Sequence, residues 1–93
     1  MKQIEKSPAE VLKYTYDFGP LLASGETVST QTVTFSEANT ITAGTPTETD
    51  GKVTVELSGG LEGQTTNVIF QITTSAGNTF ERIWPAIVRY RTT

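Results

Sequence analysis

Residues 53–90 decide the fold, and they read VTVELSGGLEGQTTNVIFQITTSAGNTFERIWPAIVRY. Apolar and polar residues alternate over 53–57 and again over 66–73, which is the period of a strand with one buried face. The loop at 75–78 is short and contains glycine, so residues 66–73 and 79–90 must form antiparallel neighbouring strands. We therefore predict three strands here, with a glycine-rich crossing at 58–64 and then a hairpin.

The same alternation predicts the core, since every second residue of a half-buried strand faces inward. Ile69 and Gln71 are assigned to the opposite face. The predicted core residues are Tyr16, Val33, Phe35, Val55, Leu57, Val68, Phe70 and Ile72.

Two further strands are predicted in the first half of the chain. Residues 12–18 alternate apolar with polar, and so do residues 27–35, apart from Val28, which is out of phase. We therefore expect a bulge near residues 29–30. Gly19-Pro20 should break the ladder between the two strands.

Residues 1–9 are expected to be flexible or to form one short helical turn. Ser7, Pro8 and Glu10 match an N-cap, a first helical position and the acidic residue of a capping box. The alternation that begins at Leu12 limits this turn to a few residues.

Residues 36–52 contain a single large aliphatic residue, Ile41. We therefore expect at most one short edge strand, around residues 40–42, and otherwise loop. Asp50-Gly51 resembles a hairpin turn, but the segment before it lacks an alternating apolar face, so a hairpin is not favoured.

The last strand should kink at Trp84-Pro85 and continue over residues 87–90, because proline in a sheet belongs on an edge or at a bulge. Arg82, Arg89 and Arg91 lie along this strand. They could form a basic stripe for an acidic partner, but protection of a sheet edge is the favoured interpretation.

Length and composition predict a single domain over residues 1–93. The chain contains no cysteine, so its core must be held by packing alone, and folding in a reducing cytoplasm is expected. No signal peptide or membrane span is expected. A net charge of −3 argues against nucleic acid as the main partner.

Short strands separated by frequent turns predict an all-β fold, an antiparallel sandwich of about seven strands of the immunoglobulin or fibronectin type III kind. Residues 61–65, LEGQT, resemble the Leu-Pro-Gly-Thr crossing of fibronectin domains. A small closed barrel is the alternative.

The search for chemistry predicts no catalytic, cofactor or metal site. Without histidine or cysteine, a zinc site or a Ser–His–Asp or Cys–His arrangement is excluded, although a Ser–Lys or carboxylate pair stays formally open. The only aspartates, Asp17 and Asp50, are expected to be solvated. The glycines at 58–63 lack the Gly-Lys-Ser/Thr ending of a phosphate loop.

Four aromatic residues could form a platform on which a sugar stacks, but aromatic residues in a small domain without disulfides are expected mainly in the core. These residues are Tyr14, Tyr16, Trp84 and Tyr90.

Residues 6–18, KSPAEVLKYTYDF, are similar to a Lys-Asp-Pro-x-x-Val-Leu-Asp-Tyr-x-x-Asp-Trp opening, and residues 22–28, LASGETV, to Leu-Ala-x-Gly-Glu-Thr-Ile. Residues 57–65, LSGGLEGQT, and 72–82, ITTSAGNTFER, resemble Leu-Ser-Gly-Gly-x-x-Gly-Gln-Thr and Ile-Thr-Thr-x-x-Gly-Arg-Thr-x-x-Arg. Together these segments resemble the small tailed-phage and prophage proteins labelled fibre-tail adaptor proteins. The resemblance runs from residue 6 to about residue 91.

The resemblance implies a non-enzymatic structural component of a phage or prophage virion, made in the cytoplasm of the bacterial host. Its partners would be other tail, neck or fibre proteins or further copies of itself, with neither nucleic acid nor membrane involved. The binding residues stay unassigned. The alternative is an immunoglobulin-like module that binds carbohydrate or a cell surface.

Overall fold

The computed structural model describes residues 3–36 and 40–89, and within them the protein is all-β, as predicted. A short 3-10 turn at Gly19–Leu21 follows the second strand, where Gly19-Pro20 was expected to break the ladder. The strands are β1 (Ile4–Lys6), β2 (Leu12–Asp17), β3 (Val28–Phe35), β4 (Ile41–Ala43), β5 (Thr47–Thr49), β6 (Lys52–Gly59), β7 (Thr65–Thr74) and β8 (Thr79–Val88).

The strands form two separate sheets, an arrangement compatible with the predicted sandwich. One sheet has the order β1-β8-β7-β3; the other has the order β2-β6-β4, and β5 also pairs with β6. The described residues thus form eight strands where about seven were expected. The expectation of a purely antiparallel fold is wrong at one place, because β1 pairs with β8 in parallel.

The central prediction, three strands with a crossing and a hairpin, is confirmed. β6 lies in one sheet and β7 in the other, so the glycine-rich segment between them crosses from sheet to sheet. β7 and β8 pair antiparallel without a register shift, and the Thr74 amide closes the turn by donating to the Asn78 carbonyl at 2.8 Å. The bulge in β3 is also confirmed, between Val28 and Thr30.

The predicted core is confirmed on the central strands and only partly on the outer ones. The predicted residues of β6 and β7 are all buried, whereas Tyr16, Val33 and Phe35 are partly buried and pack against the core. The reason is position, because β2 and β3 are edge strands with one open side. Sequence patterning did not identify the buried residues Ile4, Ile41, Ala86 and Val88.

Residues 36–52 contain more structure than expected. Both β4 and β5 pair with β6, and Asp50-Gly51 does form a hairpin turn. The φ angles of Asp50 and Gly51 are 51° and 84°, as a type I′ turn requires, and the Glu48 carboxylate accepts the Gly51 amide at 2.7 Å. The prediction of a single edge strand was wrong because pairing with β6 holds these strands without an apolar face of their own.

Pro85 lies inside β8 and is paired in register with β7, so the expected kink is absent. The Val88 amide donates to Gln64 at 2.9 Å and the Arg89 amide to Lys6 at 3.0 Å. Even-numbered amides of β8 therefore point to β7 and odd-numbered ones away from it. Proline at an odd position removes no bond to β7. β8 ends at Val88, and the expected continuation to residue 90 passes beyond the described residues.

Among residues 3–9, the structure shows a strand and a turn where flexible chain or a helical turn was expected. The Ser7 amide bonds to the Glu10 carboxylate at 2.7 Å, as in a capping box, but the turn leads into β2 and starts no helix. Before it, β1 pairs with the end of β8, which fixes the start of the described chain on the sheet.

Lys6 joins the two sheets at this end of the molecule. Its side chain is buried, and the ammonium donates to the carbonyls of Ser7 at 2.7 Å and Gly59 at 2.6 Å. Burial lowers the pKa of Lys6, and nearby Glu10 acts in the opposite direction. Gly59 belongs to β6, so this bond ties β1 to the opposite sheet.

Replacing Lys6 with methionine is expected to lower the free energy of unfolding by about 1–3 kcal/mol, because two carbonyls at a buried site lose a charged donor. Urea denaturation measures the change. Lys13→Met on the exposed face of β2 is the control and should change stability by no more than about 0.5 kcal/mol. Equal effects of the two substitutions would show that the buried ammonium contributes nothing.

Candidate assembly surface

The tertiary structure gathers carboxylates that look scattered in the sequence. A cleft of 510 Å³ lies beside the Gly19 and Gly51 turns, and Glu26, Glu48 and Asp50 line it. Carboxylates from distant parts of the sequence therefore share one cleft. Two of the three serve as acceptors for backbone amides, Glu26 for Ala23 and Glu48 for Gly51. Residues 3–36 and 40–89 contain no group of three or more Asp or Glu side chains placed to hold a metal ion.

The two aspartates singled out in the sequence lie at neighbouring turns. The Asp17 carboxylate accepts the Gly19 amide at 2.8 Å, and the Phe18 amide donates to the Gly51 carbonyl next to Asp50 at 2.8 Å. Both aspartates are exposed, as expected. The Asp17 carboxylate and the backbone bond from Phe18 to Gly51 hold the two turns that form one wall of the cleft.

Glu26 connects the loop before β3 with the turn between β7 and β8. Its carboxylate accepts bonds from the Thr74 hydroxyl, from the Asn78 side chain at 3.1 Å and from the Ala23 amide at 2.8 Å. The Thr74 bond contributes most to lowering the pKa of Glu26, and the bonds from Ala23 and Asn78 lower it further. The ionised carboxylate is thus the form that the fold stabilises.

This linkage gives a pH-dependent prediction. Because the folded pKa of Glu26 is below its usual 4.5, its stabilising contribution is present above that pH and is lost as pH falls through the lowered value. Glu26→Gln should therefore be less stable than the wild type near neutral pH, and the difference should shrink in acid. Urea denaturation of both proteins over the acid range measures this. A difference that stays constant with pH would contradict the role of the charge.

The aromatic residues form one cluster that spans the two sheets. The Tyr16 ring on β2 lies with its centroid 5.5 Å from that of Trp84 and 6.0 Å from that of Phe70, and the Phe70 and Trp84 centroids are 5.0 Å apart. Trp84 is 7% exposed, and Tyr14 packs against the core. The expectation that these rings belong mainly to the core is confirmed for these residues; Tyr90 lies outside the described part.

The two described arginines at the end of the chain, Arg82 and Arg89, do not form a stripe. Arg89 pairs with Glu5 on β1, so β8 is covered there and the edge-protection interpretation is wrong for this residue. Arg82 lies on the uncovered half of β8, and its guanidinium donates to the Glu81 carbonyl at 2.7 Å. Arg91 lies outside the described residues.

The outer faces of the two sheets differ in chemistry. The outer face of β2 and β6 carries four exposed charged side chains, Lys13, Asp17, Lys52 and Glu56. The outer face of β7 and β8 instead carries four apolar side chains, Ile69, Ile83, Pro85 and Ile87. Ile69 and Ile83 are directly paired, and Ile83 is 40% exposed. Apolar residues at the middle of a sheet face, with charge kept to the periphery, are typical of a protein interface.

A family model described as "Podophage GP4 fiber-tail adaptor protein gp77" matches residues 6–83. The chain belongs to this podophage fibre-tail adaptor family. The match begins at Lys6 and ends on β8, whereas the resemblance noted in the sequence extended to about residue 91. None of the curated proteins matches the chain.

Membership in the fibre-tail adaptor family implies a structural component of the phage particle that contacts other tail or fibre proteins. The matched range contains strands of both sheets, Tyr16 and Phe70 of the aromatic cluster and part of the apolar outer face, and Trp84 follows it directly. Over residues 3–36 and 40–89, the adaptor contains no helix with the length and hydrophobicity needed to cross a membrane.

Proposed function

We propose that this adaptor-family protein is a non-enzymatic component of a tailed-phage or prophage virion and works through protein–protein assembly at its sheet edges, loops and outer face. The observation that supports this most is the contrast between the outer faces of the two sheets, within a chain whose family is described as an adaptor. The partners are other tail, neck or fibre proteins and further copies of the chain.

The interior supports a binding role carried by the surface. In the described part of the chain, the core residues come from both sheets, and every buried side-chain nitrogen or oxygen atom has a hydrogen-bond partner. A core in which every polar atom is already paired has no hydrogen-bonding group available to a polar ligand. Two of the three cleft carboxylates, those of Glu26 and Glu48, accept backbone amides of turns, and the proposal includes no catalytic step and no cofactor.

We also propose that residues 1–93 form one immunoglobulin-like sandwich. The orders β2-β6-β4 and β8-β7-β3 match the B-E-D and G-F-C sheets of that fold. The parallel strand β1 replaces strand A and lies on the sheet of β8. The acidic composition supports an assembly without nucleic acid, and the lack of cysteine supports folding in the cytoplasm of the host before incorporation into the virion.

The alternative, a sugar-binding module, requires exposed ring faces. Trp84 is 7% exposed, and Tyr16 packs against the rings of Phe18, Phe70 and Trp84. This burial favours the structural role.

Mass spectrometry of purified particles, combined with deletion of the gene, tests the proposed function. We expect the protein in the particles and a large loss of infectious virions in the deletion strain, restored by the gene in trans. Absence of the protein from the particles, together with a normal yield of infectious virions without the gene, would overturn the proposal.

A further inference from the structure

The first half of β8 is an open sheet edge. β1 pairs only with Ala86–Val88, so among the described residues no strand lies beside Thr79–Ile83 on the side away from β7. The odd-numbered residues of β8 direct their amides and carbonyls to that side, as the bond from Arg89 to Lys6 shows. The Glu81 carbonyl accepts a bond from the Arg82 guanidinium, where a neighbouring strand would otherwise donate.

An apolar cleft lies next to this edge. It has a volume of 320 Å³, and Tyr16, Ile83 and Trp84 supply its apolar lining. Arg82 also lines it, on the inward-facing side of β8. In the described part of the chain, no carboxylate forms an ion pair with Arg82. Glu81 lines the cleft as well but forms no ion pair with Arg82, so the cleft combines apolar surface with a guanidinium that is available to a partner carboxylate.

We propose that Thr79–Ile83 receives an extended segment of a partner virion protein, which adds to β8 as a strand. Main-chain bonds to the odd-numbered residues would supply affinity, and side chains in the cleft would supply specificity. The segment would place an apolar side chain against Tyr16 and Trp84. It would carry Asp or Glu two positions away, on the same face, for Arg82. This inference rests on the proposed assembly function.

A second copy of the chain fits this edge less well. A two-fold pairing of two β8 edges centred on Glu81 or on Arg82 would set like charges directly opposite each other, which is destabilising. A pairing centred on Ile83 would bring the partner strand into the place that β1 occupies. A partner segment that carries a carboxylate complements Arg82 and avoids both conflicts.

Glu81→Pro tests the strand addition. The substitution removes the amide N–H that points to the open edge, and it leaves all hydrogen bonds between β8 and β7 in place. Pro85, at another odd position of β8, shows that the strand accepts proline there. We expect Glu81→Pro to keep a thermal midpoint close to that of the wild type and to be incorporated into particles about tenfold less or worse. Arg82→Glu should reduce incorporation similarly.

Gln31→Pro is the control on the opposite edge of the same sheet, and it also removes the 3.4 Å bond from the Gln31 side chain to the Pro46 carbonyl. The Ser36 amide donates to the Asn67 carbonyl on β7, so even-numbered amides of β3 face β7 and the Gln31 amide faces the other way. Gln31→Pro should be incorporated like the wild type. Should Glu81→Pro fail to fold by circular dichroism, Arg82→Glu decides the question.

A photo-crosslinking amino acid at position 83, used in assembled particles, identifies the occupant. We expect crosslinks to a different virion protein, in a segment with Asp or Glu two residues from an apolar residue. Crosslinks to a second copy, or incorporation of both folded Glu81→Pro and Arg82→Glu at the wild-type level, would overturn this inference alone. Absence of the wild-type protein from particles would overturn the proposed function and this inference with it.

Discussion

Replacing Phe70 with alanine is expected to lower the free energy of unfolding by about 3–5 kcal/mol. Phe70 is fully buried at the centre of β7, and its ring lies against Tyr16 from one sheet and Trp84 from the neighbouring strand. The substitution removes one of the rings that connect the two sheets and leaves a cavity in the core. Small domains are stable by only about 5–15 kcal/mol, so this is a large share of the total.

Urea denaturation followed by tryptophan fluorescence measures the effect, since Trp84 is the single tryptophan and contacts the Phe70 ring. Leu61→Ala is the control, because Leu61 is a large apolar residue that is 61% exposed. Its cost should be within about 0.5 kcal/mol of zero. If Phe70→Ala cost no more than Leu61→Ala, the assignment of Phe70 to the centre of the core would be wrong.

Replacing Gly60 with alanine is expected to cost about 2–6 kcal/mol, from two separate causes. Its φ of 99° is a conformation that side chains rarely adopt, which costs roughly 1–3 kcal/mol. A Cβ atom would also lie 2.9 Å from a methyl carbon of Val88 and 3.1 Å from Cγ1 of Ile41, and such overpacking costs about 1–3 kcal/mol more. Gly60 thus lets the crossing chain lie directly on the core.

Gly63→Ala separates these two causes. Gly63 has a similar φ of 90°, but a Cβ atom there would meet nothing within 4 Å. Its cost should include the backbone strain without the overpacking, so the two variants should differ by about 1–3 kcal/mol in urea denaturation. Equal costs would mean that the core at Val88 and Ile41 adjusts freely to an added methyl group.

The candidate assembly surface was less predictable than the fold. Ile69 and Ile83 lie on strands that the sequence identified, but their adjacency on one outer face depends on pairing across the β7–β8 hairpin. The open edge of β8 depends on where β1 ends. Residues 1–9 were expected to be flexible or to form one short helical turn. The sequence therefore did not indicate that a strand from this segment pairs with residues 86–88 and leaves residues 79–83 uncovered. The cleft carboxylates Glu26 and Glu48 likewise come from segments far apart in the chain.

The sequence by itself determined the all-β class, the β7–β8 hairpin and the buried faces of β6 and β7. Those features follow from local physics, since alternation assigns the faces of a half-buried strand and a short loop requires antiparallel neighbours. Only the tertiary structure decided that β4 and β5 pair with β6, that Lys6 is buried, and that Pro85 lies within a paired strand. These depend on contacts between distant segments: an edge strand is held by its neighbour's backbone, and a buried ammonium needs carbonyls that Gly59 supplies from the other sheet. Proline fits at position 85 of β8 because the amide of an odd-numbered residue points away from β7. The N–H that proline lacks would therefore make no hydrogen bond to β7.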